Sequence, residues 1–316
     1  MRTSVKTWAS AAFLALTLVV QGHGQTVTSP GFLPENKMKI PVGDMHALGI
    51  QEAVFNRVLD RVQAVYGPII AKKGGKLVID RNWDDATVNA YASQNGKDWH
   101  IAMFGGLARH EAITEDGFAL VACHEIGHHI GGFPKSAFGW ATNEGGADYY
   151  ATLKCLRRVL KTAPKKVDPF VERMCGNSFR RRSDRGLCEA GSMAGYSVTK
   201  LFTDLGGEKE ASFKTPDPAV VAEMDDSHPA SQCRLDTYFQ GALCNKPLGD
   251  EQNDKEPDSG ACTRKQGYFV GIRPRCWYKP PAGEPETTKP GRRLVVLDEK
   301  TLGEKLETIR ASIGGK

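Results

Sequence analysis

Apolar residues recur at helical spacing between Met45 and Val65, where Leu48, Ile50, Val54, Val58, Leu59 and Val62 share one stripe. This predicts a helix, closed by Gly74-Gly75. Three short β-rich runs follow, Lys76 to Asp80, Thr87 to Ala92 and Trp99 to Phe104. Asn95-Gly96 before the last run is a hairpin signal, because both residues tolerate the positive φ of a two-residue turn. The three runs predict a small antiparallel sheet. At Thr114 the pattern changes again. Thr114 is a helix N-cap, and Glu115 and Asp116 in the first turn favour the helix dipole. That helix is expected to reach Ile130, where Gly131-Gly132 and Pro134 stop it. Further helices are predicted from about Asn143 to Lys161, over 186–205 and over 218–245. Gly249 to Gly260 is polar and acidic and reads as a loop, and Tyr278 to Arg292 is Pro-rich and extended. Arg293 to Ile313 carries a strand-like run, Leu294 to Leu297, and then an amphipathic helical pattern. No internal repeat is present.

The first residues read as an export signal. Arg2 and Lys6 form a basic start, Trp8 to Val20 is an uncharged apolar run, and Gln21 to Gly24 is short and small. The run is too short for a bilayer-spanning helix, which needs about 20 residues. Residues 1–24 are assigned as a signal peptide, leaving no stable membrane span after its cleavage. The formal charge of +5, less the two charges of Arg2 and Lys6, is +3. That is too mild to indicate nucleic acid. Arg180-Arg181-Arg182 reads as a solvated stretch. All 8 cysteines follow the signal, and none forms a C-x-x-C pair. An even number in an exported chain points to disulfides, although eight cysteines permit 105 pairings. Cys262 and Cys276 flank an apolar stretch and are the expected local bridge. Cys233 and Cys244 lie on one predicted helix roughly 16 Å apart and cannot bond each other. The expected location is periplasmic or secreted.

Candidate chemistry sits in "ALVACHEIGHHIGG", Ala119 to Gly132. His124 and His128 are four apart, so one helix face directs both imidazoles at one metal ion. Glu125 lies beside them, placed to take the proton of a zinc-activated water and pass it to a leaving amine. The five-residue pattern alone leaves two readings open, a zinc site or a helix of satisfied histidines. A third ligand is offered by "WATNEGGADYYATLKC". There Glu144 is the expected metal ligand, and Asp148, one turn on, the expected partner of a histidine's far nitrogen. Gly145, Gly146 and Ala147 keep this helix thin enough to approach the first. Cys123 points away from the ligand face and reads as a core or disulfide cysteine. His129 is off that face and reads as solvent-facing or supporting. Trp99, Trp140, Tyr149 and Tyr150 read as packing residues.

In order along the chain, "TVNAYA", "FGGLARH", "HEIGH", "EGGAD" and "DSHPASQCR" resemble the gluzincin metallopeptidases of the HtpX type, which include the CAAX prenyl endopeptidase. The resemblance spans Thr87 to Leu243 and lacks the transmembrane helix pair of some relatives. It implies an α+β, mostly helical zincin-type domain with a small antiparallel sheet over 25–248. A disulfide-containing C-terminal extension, 249–316, is partly loop or Pro-rich. It further implies zinc held by His124, His128 and Glu144, with Glu125 as base and Asp148 in support. His228, before Pro229, would stabilise the oxyanion or act as a movable extra ligand. The expected function is an exported zinc endopeptidase acting on a protein or peptide substrate, lying extended along the edge strand Trp99 to Phe104. Two rival readings are a peptidoglycan amide hydrolase and a non-catalytic, zinc-containing chaperone-like factor with an envelope protein partner.

Overall fold

A computed structural model describes residues 27–283 apart from 46, 138, 162 and 207. The export signal and the pattern between Arg293 and Ile313 lie outside the described residues. Helix α1 spans Glu52–Lys72 and buries Phe55, Val58, Leu59, Val62, Tyr66 and Ile70. It begins later than the apolar spacing predicts. The N–H groups of Gly49 and Ile50 donate to the carbonyls of Arg109 and Ala108, so this backbone is already paired elsewhere. Leu48 accordingly stays exposed. The helix also runs on through Pro68 to Lys72.

Strands β1 (Val27–Thr28), β2 (Lys76–Asn82), β3 (Ala90–Asn95) and β4 (Asp98–Phe104) form one sheet in the order β1-β3-β4-β2. The β3–β4 hairpin turns where Asn95-Gly96 predicted it, with Gly96 at φ 60°. The sheet is mixed, not antiparallel, because β2 pairs parallel to β4. This placement also removes the expected substrate edge, since β4 is flanked on both sides. A hairpin signal makes β3 and β4 neighbours, but nothing in the alternation says on which flank β2 docks.

Short helix α2 (Gly105–Arg109) leads to α3 (Glu115–Ile130), where Thr114 Oγ1 accepts from the Gly117 N–H at 3.1 Å. Every residue from Gly117 to Ile130 is buried, so α3 is the central element, covered all round as an apolar helix must be. It packs against β3, α1, α4 (Glu144–Tyr150) and α7 (Arg182–Gly206). Asn143 caps α4 through the Gly146 N–H at 3.0 Å. The chain then passes through a wide π-type turn, Ala151–Cys155, into α5 (Leu156–Val159). Helix α6 (Pro169–Ser178), capped by Asp168, was not anticipated. Helix α8 covers only Ser231–Leu243 of the stretch expected from 218, since Pro229 disfavours helix in the residue before it.

Four disulfides pair Cys123 with Cys155, Cys175 with Cys188, Cys233 with Cys276, and Cys244 with Cys262. The expected Cys262–Cys276 bridge is therefore wrong. Cys233 of α8 and Cys244 just after it, unable to reach each other, each take one partner from the following segment. That segment carries Trp277 into full burial, where its Nε1–H donates to Thr237 Oγ1 at 2.9 Å. A Cβ on Gly145 would lie 2.1 Å from the Trp277 ring, while one on Gly127 would lie 2.9 Å from the Ala147 backbone. The small residues of α4 thus serve two neighbours. Ala147 meets α3 at Gly127, and Gly145 makes room for the C-terminal tryptophan. Among the described residues, no helix is long and apolar enough to cross a membrane.

Candidate metal centre

His124 and His128 sit one turn apart on α3, with ring centroids 4.6 Å apart and planes nearly perpendicular. Each has its Nδ1 tied down. That of His124 meets Asp148 Oδ1 at 2.6 Å, and that of His128 meets the Thr142 carbonyl at 2.8 Å. A carbonyl only accepts, so His128 carries its proton on Nδ1 and turns a lone pair outward at Nε2. Glu144, at the first position of α4, faces both rings. Its Oε2 is 3.3 Å from His124 Nε2, and its Oε1 is 3.5 Å from His128 Nε2. All three side chains are buried, and neither Nε2 nor either Glu144 oxygen has a hydrogen-bond partner.

Leaving one buried polar atom unpaired costs about 1–3 kcal/mol, so four converging on one point demand compensation. A divalent cation would supply it. The ligand atoms lie within 4.8 Å of one another. Atoms held about 2.0–2.1 Å from one tetrahedral ion are about 3.4 Å apart, close to the observed spacing. The group of His124, His128 and Glu144 therefore fits a metal ion. A second cluster, Asp217 with Cys233 and Cys276, does not, because its sulfurs are bonded to each other.

Asp148 is held from three sides. Arg234 donates to it through Nε and Nη2, both at 2.8 Å, and the Tyr238 hydroxyl donates at 2.7 Å. Burial opposes its charge, but Arg234 and His124 outweigh burial and hold the carboxyl well below the usual range. On His124, burial is outweighed by Asp148 and Glu144, which raise the ring to about 9. Burial takes His128 down to about 4, against the pull of Glu144. Glu144, despite burial, is held at about 2 by the two histidines. Glu125 differs. It is fully buried, both its oxygens lack partners, and burial pushes its carboxyl up to about 8 against the nearby His124.

His228, in the loop before α8, brings Nε2 to 3.5 Å from Glu144 Oε2 and 2.6 Å from the Gly31 carbonyl. The six residues singled out from sequence thus gather in one place. Arg234 and Tyr238, spaced by one turn of α8, were given no role from sequence, and neither was Phe32, whose ring stands edge-on to His124 at 5.0 Å. Arg234 was visible only as the last residue of "DSHPASQCR". His129 is not solvent-facing. It is buried between Trp99 and Trp140, with centroids at 5.5 and 5.2 Å, and its Nε2–H donates to the His100 carbonyl. Tyr149 and Tyr150 are core residues as expected. No family model, curated protein or solved structure matches the chain.

Proposed function

We propose that this chain is an exported zinc metallopeptidase of the gluzincin kind, hydrolysing peptide bonds in a protein or peptide substrate. The observation that supports it is the convergence of His124 Nε2, His128 Nε2 and the Glu144 carboxylate without hydrogen-bond partners, beside the equally unpartnered Glu125. Two imidazoles and one carboxylate are a donor set that catalytic zinc takes. When bound, the zinc supplies a Lewis acid that polarises the scissile carbonyl and acidifies the attacking water. Glu125, both of whose oxygens are without other partners, would take that proton and deliver it to the leaving nitrogen. His228 is placed to donate to the carbonyl oxygen as negative charge develops there. Asp148 binds His124 at Nδ1 and would hold the ring in the tautomer that offers Nε2 to the metal once the metal displaces the Nε2 proton. Four disulfides suit an oxidising compartment and support export.

The test is metal analysis of the purified protein, with casein cleavage followed before and after 1,10-phenanthroline. The expected outcome is one zinc per chain, with cleavage lost on chelation and restored by added zinc. Stoichiometric absence of metal, or cleavage indifferent to the chelator, contradicts the reading.

A further inference from the structure

The metal centre is shut off from solvent, and the chain's own N-terminal segment lies across it. His124 and Glu125 are 0 % exposed, and His128 and Glu144 are 1 % exposed, so no substrate bond reaches them as the molecule stands. β4 occupies one edge of β3, and residues 27–32 occupy the other. β1 pairs antiparallel with β3, Val27 opposite Gln94 and Thr28 opposite Ser93. Beyond β1 the contact continues. The Ser29 N–H donates to the Ala92 carbonyl at 2.8 Å, and the Phe32 N–H to the Ala90 carbonyl at 2.9 Å. Ser29 Oγ in turn accepts from the Ala92 N–H at 3.1 Å. An extended peptide laid on an exposed sheet edge makes bonds of this kind.

The segment then turns inward. Gly31 has φ 96°, and a Cβ there would lie 2.6 Å from the Tyr91 ring, so glycine lets the strand pass close to the sheet. The turn sets the Gly31 carbonyl on His228 Nε2, which also lies 3.5 Å from Glu144 Oε2. A carbonyl of the chain itself thus takes the bond that the substrate carbonyl would need. Phe32 and Leu33 are fully buried, and Arg234 Nη1 donates to the Phe32 carbonyl at 2.7 Å, which makes them the anchor. Before that anchor, Pro30 is exposed, and after it so are Pro34 and Glu35.

We propose that residues 27–31 are an autoinhibitory strap, seated on the outer edge of β3 in place of an extended peptide substrate and displaced to open the site. The proposal rests on the peptidase reading for the meaning of the cleft, but not for the strap's movement. Substrate and strap compete for the same edge and the same His228 donor. A strap seated about nine-tenths of the time leaves about one-tenth of molecules competent, and apparent activity scales with that fraction.

The test is Ser29→Pro in the full chain. Proline removes the N–H that bonds Ala92 and the hydroxyl that accepts from it, and leaves the Phe32–Leu33 anchor untouched. In the zinc-loaded variant, loss of zinc to 1,10-phenanthroline is expected to quicken about tenfold, and kcat/KM on a casein peptide to rise about tenfold. If Ala92 amide exchange shows the outer edge of β3 uncovered in the variant while both rates stay at wild-type values, the strap is refuted. A second measurement needs no variant. In the wild-type protein, the Ser29 and Ala92 amides, which bond across the strap, should exchange about 100-fold faster than the Ile101 amide in mid-β4, by local opening. Exchange at the Ile101 rate would make the segment a fixed part of the core and overturn the proposal. If neither protein cleaves casein, zinc release still decides the strap, and the peptidase reading alone falls.

Discussion

Two acids one helical turn apart on α4 treat the same histidine from opposite ends. Glu144 faces His124 Nε2, and Asp148 binds its Nδ1. The four-residue spacing on one helix face suggested Asp148 as partner of a histidine's far nitrogen, without saying which histidine. What the spacing could not supply was the third party. Arg234 comes from a helix 86 residues away and binds Asp148 with two nitrogens. Asp148→Asn puts that to the test. The change keeps the shape and removes the charge, leaving a buried guanidinium unpaired, at a cost of about 3–5 kcal/mol. Zinc affinity, measured by competition with a chelator, should fall about 10–100-fold. Unchanged affinity together with an unchanged melting temperature would remove Asp148 from the site.

Among the elements, the strongly signalled ones were legible and the weakly signalled ones were not. Thr114 caps α3, Asn143 caps α4, and Asn95-Gly96 turns the hairpin, because each signal is local. The flank taken by β2 and the partners of Cys262 and Cys276 depend on contacts made after the chain has folded. His129 shows the same limit. Its position on α3 left it either solvent-facing or supporting, and two tryptophans from distant segments sandwich it, while burial lowers its ring to about 3. The sign of the consequence is fixed. Folded, His129 stays neutral, while the unfolded chain takes up a proton near 6.5, so acidification through that value favours unfolding. Its contribution is fully present above pH 6.5 and is lost as pH falls toward 3. His129→Phe retains a ring in the sandwich and removes the titration. Between pH 7 and pH 5, the urea-unfolding free energy of the variant should fall by about 2 kcal/mol less than that of wild type. Parallel pH profiles would show that burial of His129 does not govern its protonation.

At the scale of the whole molecule, the centre is assembled from pieces far apart in sequence: α3, α4, the loop before α8, and the N-terminal segment. From sequence, the four-residue spacings suggested that α3 and α4 share one metal, and the HtpX-type resemblance added the loop before α8. The fourth was invisible, since residues 25–44 carry Gly, Pro and polar groups without helical or strand periodicity. The C-terminal segment is joined to α8 and the residue after it by two disulfides and packs Trp277 against Gly145 of α4. Such a framework can serve a peptidase or a protein that merely holds zinc and binds a partner. One comparison separates them most directly, namely zinc content and peptide cleavage in wild type, Glu125→Gln and Glu144→Gln. Glu125 is not a ligand in this account, so Glu125→Gln should keep one zinc per chain and fold normally while cleavage drops by about 10²–10⁴-fold. Glu144→Gln should lose both zinc and cleavage, because a neutral amide is a poor ligand for a dication. Cleavage by Glu125→Gln at the wild-type rate, with zinc retained, would contradict the account.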